Sequence, residues 1–302
     1  MLALTTAALS FNVAVRPSIA VARTVSPLKM GLVDDVKNSV VPADTSETLR
    51  NVMGYQMTGW GVGATVCPAL MMNTLFAANP TGATVWMMRA MGLGMLSLGA
   101  KTCGGSDADA ATTGLIFYGA WYKVLTAAAV VSGTGKAAAA TLGGYVTMIA
   151  TWNLLCALSC ARRSGGLFKR VTELDLGVVD SVLPKDTKVS TRNIVGANVA
   201  AWGLICWKFQ DFFLGSRIVA GGATPLMTSV ILPGIALANL LLAGKIFAGS
   251  DKDAATNGAV ILGGYGVIGY LAAKAGVFAG TWMGWLPLVN FALAAYCVKE
   301  LL

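Results

Sequence analysis

The sequence predicts an all-α membrane protein, a tandem parallel duplication of a four-helix transmembrane unit with about eight spans. Three observations carry this reading. The chain of 302 residues is 56% hydrophobic and only 12% charged, against roughly 25% charged in an ordinary globular domain, and its mean hydropathy is +0.68. A short acidic turn occurs twice: Gly105-Ser106-Asp107-Ala108-Asp109-Ala110-Ala111-Thr112-Thr113-Gly114 returns as Gly249-Ser250-Asp251-Lys252-Asp253-Ala254-Ala255-Thr256-Asn257-Gly258, with eight of ten positions identical at an offset of 144. Around these turns lie apolar segments, each long enough to cross a hydrocarbon core of roughly 30 Å as a helix.

Taken in order, the first span is expected over residues 50–76, closed by the turn chemistry of Asn79-Pro80-Thr81-Gly82. The next three are expected over 83–100, 110–131 and 137–160. A basic, polar linker follows. The second copy restarts at Arg192-Asn193 and Trp202-Gly203, which match Arg50-Asn51 and Trp60-Gly61 at an offset of 142. Its spans are expected over 193–214, 224–248, 254–275 and 281–298. The domain reading is thus 1–30 as an organellar transit peptide, 31–163 as the first repeat, 164–188 as linker and repeat leader, and 189–302 as the second repeat. An even number of spans per copy makes both copies enter the membrane in the same direction. Thirteen of the nineteen basic residues beyond Met30 fall on the face carrying the N-terminus, linker and C-terminus, so that face is expected on the cytoplasm-like side.

The first thirty residues hold three basic residues (Arg16, Arg23, Lys29), six Ser or Thr and no acid, the composition of a transit peptide. Nothing else in the chain matches them. Ser39-Val40-Val41-Pro42-Ala43-Asp44-Thr45, by contrast, returns as Ser181-Val182-Leu183-Pro184-Lys185-Asp186-Thr187, so the duplicated unit begins near Gly31 and processing is expected near Lys29-Met30-Gly31. This leader, with its short apolar start, basic Ser/Thr stretch and Met-Gly junction, resembles the presequences of plastid proteins in algae whose plastids derive from a red alga. The resemblance covers a tenth of the chain and implies a plastid membrane, probable thylakoid residence being the expectation, with N-terminus, linker and C-terminus on the stromal side.

Composition also excludes. A net charge of +8 without a basic stripe interleaved with aromatics argues against nucleic acid. The total absence of histidine removes histidine-ligated metal or haem and any histidine general base. The six cysteines form no CxxC motif and read as thiols packed in or beside apolar segments.

The candidate residues fall into four groups. Ser106, Asp107 and Asp109, with Ser250, Asp251 and Asp253, have Ser-x-x-acid spacing and read as helix-capping devices. The competing reading, a cation or partner site, has few ligands for a cage. Arg89, Lys123, Lys208 and Asp211 are charges at membrane depth, where an isolated charge costs at least about 2.5 kcal/mol. Lipid or partner contacts are expected of them, with Lys208 and Asp211 paired on one helix face. Asn153 and Asn290 recur at an offset of 137 and are expected to bond across helices or to hold a cofactor. Gly59/Gly63 and Gly276/Gly280/Gly284 have GxxxG spacing, suited to close helix contact or to another subunit. The cofactor is open, with chlorophyll, carotenoid and lipid at helix surfaces as candidates.

With no catalytic signature, the expected function is a non-enzymatic accessory or scaffold subunit of a plastid membrane complex, associated with a photosystem and its antenna. Its expected partners are membrane lipids and other membrane subunits. The alternative is a small-solute or ion transporter or channel.

Overall fold

The computed structural model describes residues 49–76, 82–132, 139–163, 190–210, 224, 226–278 and 282–302. The presequence, the mature leader, the linker, Asp211 and Gly280 lie outside the described residues. Among the described residues the chain is helical: α1 (Leu49–Val66), α2 (Pro68–Phe76), α3 (Gly82–Cys103), α4 (Asp107–Ser132), α5 (Ala139–Arg163), α6 (Thr191–Lys208), a π-helical turn Met227–Ile231 leading into α7 (Leu232–Ala248), α8 (Asp251–Lys274) and α9 (Trp282–Leu301). By length and composition, Met227–Ala248 and Asp251–Lys274 are apolar enough to cross a membrane.

Two elements differ from the sequence expectation for a local reason. The first apolar segment is two helices, because Pro68 has no N–H to give and its ring disfavours helical backbone at Cys67. The axis is kept only loosely, by Cys67 N–H to Gly63 O at 2.9 Å and Met71 N–H to Cys67 O at 3.1 Å. The fifth segment ends at Lys208, with Phe209 as a non-helical C-cap. Asp211, the expected partner of Lys208, lies outside the described residues.

Corresponding helices make corresponding contacts. Within the first copy α1 packs on α3 and α4 on α5; within the second α6 packs on α7 and α8 on α9. Between copies α3 meets α7, and α3 meets α8 as α7 meets α4. A Cβ on Gly94 would lie 3.3 Å from the Cβ of Ala238, its own counterpart at an offset of 144. A position that touches its own counterpart marks a pseudo-twofold axis, which here runs along the bundle between α3 and α7.

Close backbone approach does occur in the bundle, but at other glycines than the GxxxG sets. Gly54 and Gly61 of α1 face Gly99 and Gly92 of α3. A Cβ on Gly61 would lie 2.5 Å from the Leu96 nitrogen and 2.7 Å from the Gly92 carbonyl oxygen, and one on Gly99 2.8 Å from the Gly54 oxygen. The two pairs are spaced seven residues apart on each helix, so they meet two turns apart along an antiparallel seam. Gly276, with φ of 69°, is instead the left-handed residue that ends α8. A Cβ on Gly284 would meet nothing within 4 Å, and the same holds for Gly59. Gly276 and Gly284 therefore sit on different elements, and no single helix face carries both.

Gly61→Val is expected to wedge α1 from α3 and to lower stability by about 1–3 kcal/mol, read as a lower thermal midpoint in detergent. Gly59→Ala, in open space, is expected to leave the midpoint unchanged or raise it through helix propensity, a gain of at most about 1 kcal/mol.

Candidate functional site

At one end of the bundle the duplicated turn gives each of its polar side chains a separate task. Ser106 Oγ accepts the Asp109 N–H at 3.2 Å and Ser250 Oγ the Asp253 N–H at 3.1 Å, so the serines cap α4 and α8. The first acid reaches sideways. Asp107 Oδ1 accepts the Arg50 N–H at 3.1 Å, and Asp251 Oδ1 accepts the Arg192 N–H at 2.9 Å, satisfying an otherwise orphan donor at the start of α1 and of α6. Arg50 Nη1 returns to the Gly105 carbonyl at 3.2 Å.

The second acid crosses the pseudo-twofold axis. Lys101, on the last turn of α3, pairs with Asp253 of the second copy, and Lys245, on the last turn of α7, pairs with Asp109 of the first. The lysine side chains are only 14% and 11% exposed, whereas Asp253 and Asp109 are 34% and 47% exposed. A capping box would have turned the acid back to its own serine; here each carboxylate engages the lysine of the other copy. Both lysines also lie near a helix C-terminus and both acids in a first helical turn, where the helix dipoles favour these charges. Among the described residues no group of three or more His, Cys, Asp or Glu is arranged to hold a metal ion.

The candidate charges at membrane depth do not come together. Arg89 stacks its guanidinium over Trp86 at 4.5 Å, with a buried Nε that has no hydrogen-bond partner. Lys123 is exposed on α4. Lys208 is exposed at the end of α6, with its ammonium 4.5 Å from the centre of the Trp207 ring.

The two asparagines part company. Asn153 donates to the Ile149 carbonyl of its own helix at 2.8 Å, a bond within α5 where a bond between helices was expected. Asn290, 4% exposed, has an Oδ1 with no partner and lines an open groove. The groove runs between α3, α6, α7, α8 and α9, with apolar walls that include Trp86, Trp202, Ile235, Ile268 and Phe278. Its other polar groups are Asn239 and Tyr265, joined by a bond from the Tyr265 hydroxyl to Asn239 Oδ1 at 2.7 Å.

Lys101, Lys245, Asn239 and Tyr265 were not singled out by sequence. The lysines carried a usable signal, since each stands eight residues before the acid of its own copy. The Asn239–Tyr265 pair carried none, because Met95 and Trp121 occupy the matching positions of the first copy. The repeated cysteines also find a role: Cys160 packs on Gly114 and Cys297 on Gly258, where an added Cβ would come within 2.6 and 2.5 Å of the sulfur. Comparison with protein-family models, with curated proteins and with solved structures gives no match.

Lys245→Glu is expected to destabilise the fold by on the order of 1–3 kcal/mol, between the range for exposed pairs and that for a broken buried pair. Adding Asp109→Lys should restore most of this loss, whereas adding Asp253→Lys should deepen it; thermal melting of the three variants in detergent separates the two outcomes.

Proposed function

We propose that the chain is a multi-pass integral membrane protein of a plastid, delivered by its first thirty residues, and that it serves as a non-catalytic scaffold or accessory subunit of a thylakoid complex. The observation that supports this most is the character of the outward faces. Tyr145, Met148, Trp152 and Leu155 form an exposed stripe at helical spacing along α5, and Val260, Val267, Tyr270 and Leu271 do the same on α8. Val52, Tyr55, Val62 and Val66 line the outside of α1, and Trp285, Leu288 and Val289 that of α9. In water, apolar patches of this extent are association surfaces; in a bilayer they are the lipid-facing exterior of about eight spans. The ion pairs and capping acids gather at one end of the bundle, where headgroups and water would solvate them.

The scaffold role follows from what the outward stripes offer. Tyrosines and tryptophans stand among aliphatic residues on several faces, surfaces suited to lipid and to helices of another subunit, with a photosystem and its antenna as the proposed neighbours. Pigment or lipid held at these faces belongs to the same proposal. A transporter is the second reading. One feature favours it: the open groove lies at the interface of the copies, beside the π-helical turn and Pro233, and repeat interfaces with interrupted helices are where transporters bind solutes.

Membranes from cells expressing the full chain should retain it through alkaline carbonate extraction, and its mature N-terminus should map near Gly31. After mild detergent it should migrate with a pigment-containing complex. Release by carbonate would end the membrane reading, and migration only as a free, pigment-less species would end the scaffold reading. Solute uptake into liposomes by the purified chain would establish the transporter instead.

A further inference from the structure

Two polar atoms in the groove lack partners. Asn239 Nδ2 and Asn290 Oδ1 make no hydrogen bond, and their residues are 0% and 4% exposed. Such groups are rarely left unmade in a folded interior. The Tyr265 hydroxyl donates to Asn239 Oδ1, which leaves the NH₂ of that amide as the unpaired donor. The site therefore offers one unmet donor and one unmet acceptor, set in walls that are otherwise apolar and aromatic.

That pair of demands defines a chemistry. A hydroxyl group both accepts and donates, so it can take a hydrogen bond from Asn239 Nδ2 or give one to Asn290 Oδ1. A bare hydrocarbon would leave both atoms unpaired. Among the described residues no lysine or arginine lines the groove to balance a phosphate or carboxylate. We propose that the groove binds a lipophilic alcohol, a molecule with an apolar body lying against Trp86, Trp202 and Ile235 and a hydroxyl that meets the unpaired amide atoms of Asn239 and Asn290 in turn or together.

The first copy shows that the fold does not need this arrangement. Met95, Trp121 and Leu125 stand where the second copy has Asn239, Tyr265 and Gly269, and the matching Asn153 bonds back to its own helix. The Asn239–Tyr265 pair arises in one copy only. Gly269, a leucine in the other copy, lines the groove. The site belongs to the second copy and to the α3 residues that the pseudo-twofold packing brings against it.

Bromine quenches tryptophan on contact, and Trp86 and Trp202 lie in the wall. The full chain in detergent is titrated with 12-bromododecan-1-ol and, in parallel, with 1-bromododecane, which lacks only the hydroxyl. Saturable quenching by the alcohol beyond that of the alkane is expected. Asn239→Met and Asn290→Leu should each weaken the alcohol's apparent affinity about tenfold or more, the scale of leaving a buried polar partner unmatched, and should leave the alkane curve unchanged. Asn239→Met installs the residue of the first copy, and its melting curve checks the fold. If it does not fold, Trp202→Phe decides, since it should remove much of the alcohol-specific quenching. Equal quenching by alcohol and alkane, undiminished affinity in folded asparagine variants, or undiminished amplitude in Trp202→Phe would overturn the proposal. The titration uses the isolated chain, so its failure and the failure of the scaffold reading are separate results.

Discussion

The contact between α3 and α7, centred where Gly94 meets Ala238, is the constraint on which the other packing depends. Each copy packs its first helix pair directly on its second, α1 on α4 and α6 on α8, and the copies join through α3 and α7. α3 is covered by α7 and α8, and α7 by α3 and α4. A Cβ on Gly94 would lie 3.1 Å from the Tyr265 hydroxyl and 3.2 Å from Asn239 Oδ1. A larger residue there would push the copies apart at the axis and disturb the groove as well. If the bundle sits in lipid, as proposed, apolar burial does not drive its helices together and such close approach supplies much of the association energy through dispersion.

The two lysine–aspartate pairs gain their meaning from that seam. Each joins the end of a central helix in one copy to the start of the third long helix in the other, so they hold the register across the axis at the end where the helices turn. Their net contribution is modest, because desolvating two lysines offsets much of the attraction. Specificity is the larger effect. A slip of α3 against α8 would leave a poorly exposed lysine without its acid and a first-turn acid without its lysine, an error made twice by symmetry.

Local chemistry was well legible in the sequence, and facing was not. The acidic turn announced helix starts because serine and aspartate act within one turn of backbone, whereas the end of α6 at Lys208 carried no such local signal. Which face of a helix meets which neighbour was hidden for a physical reason. Water imposes a polar stripe on a surface helix, whereas these helices are apolar nearly all round, so periodicity carries little information about orientation. Gly59/Gly63 and Gly54/Gly61 look alike as small-residue spacings, yet only the second set meets another backbone. Asn153 and Asn290 are likewise indistinguishable as residues, although one turns back to Ile149 and the other opens on the groove.

Duplication sorts the remaining residues by physics. What both copies keep is what the scaffold requires: the serine caps, the acids that reach α1 and α6, the crossed lysines, and the cysteines seated on Gly114 and Gly258. What only one copy has is free of that requirement. The seam of the first copy uses Gly92 and Gly99 where the second has Ala236 and Ala243, so α1 lies closer to α3 than α6 needs to lie to α7, where Gly196 and Gly203 meet the side chains of Phe247 and Leu240. The same asymmetry places Asn239 and Tyr265 in the second copy alone, where the first has Met95 and Trp121. The Asn239–Tyr265 bond is thus something the packing shared by the two copies does not itself require, which is the physical ground for assigning these groups to a ligand.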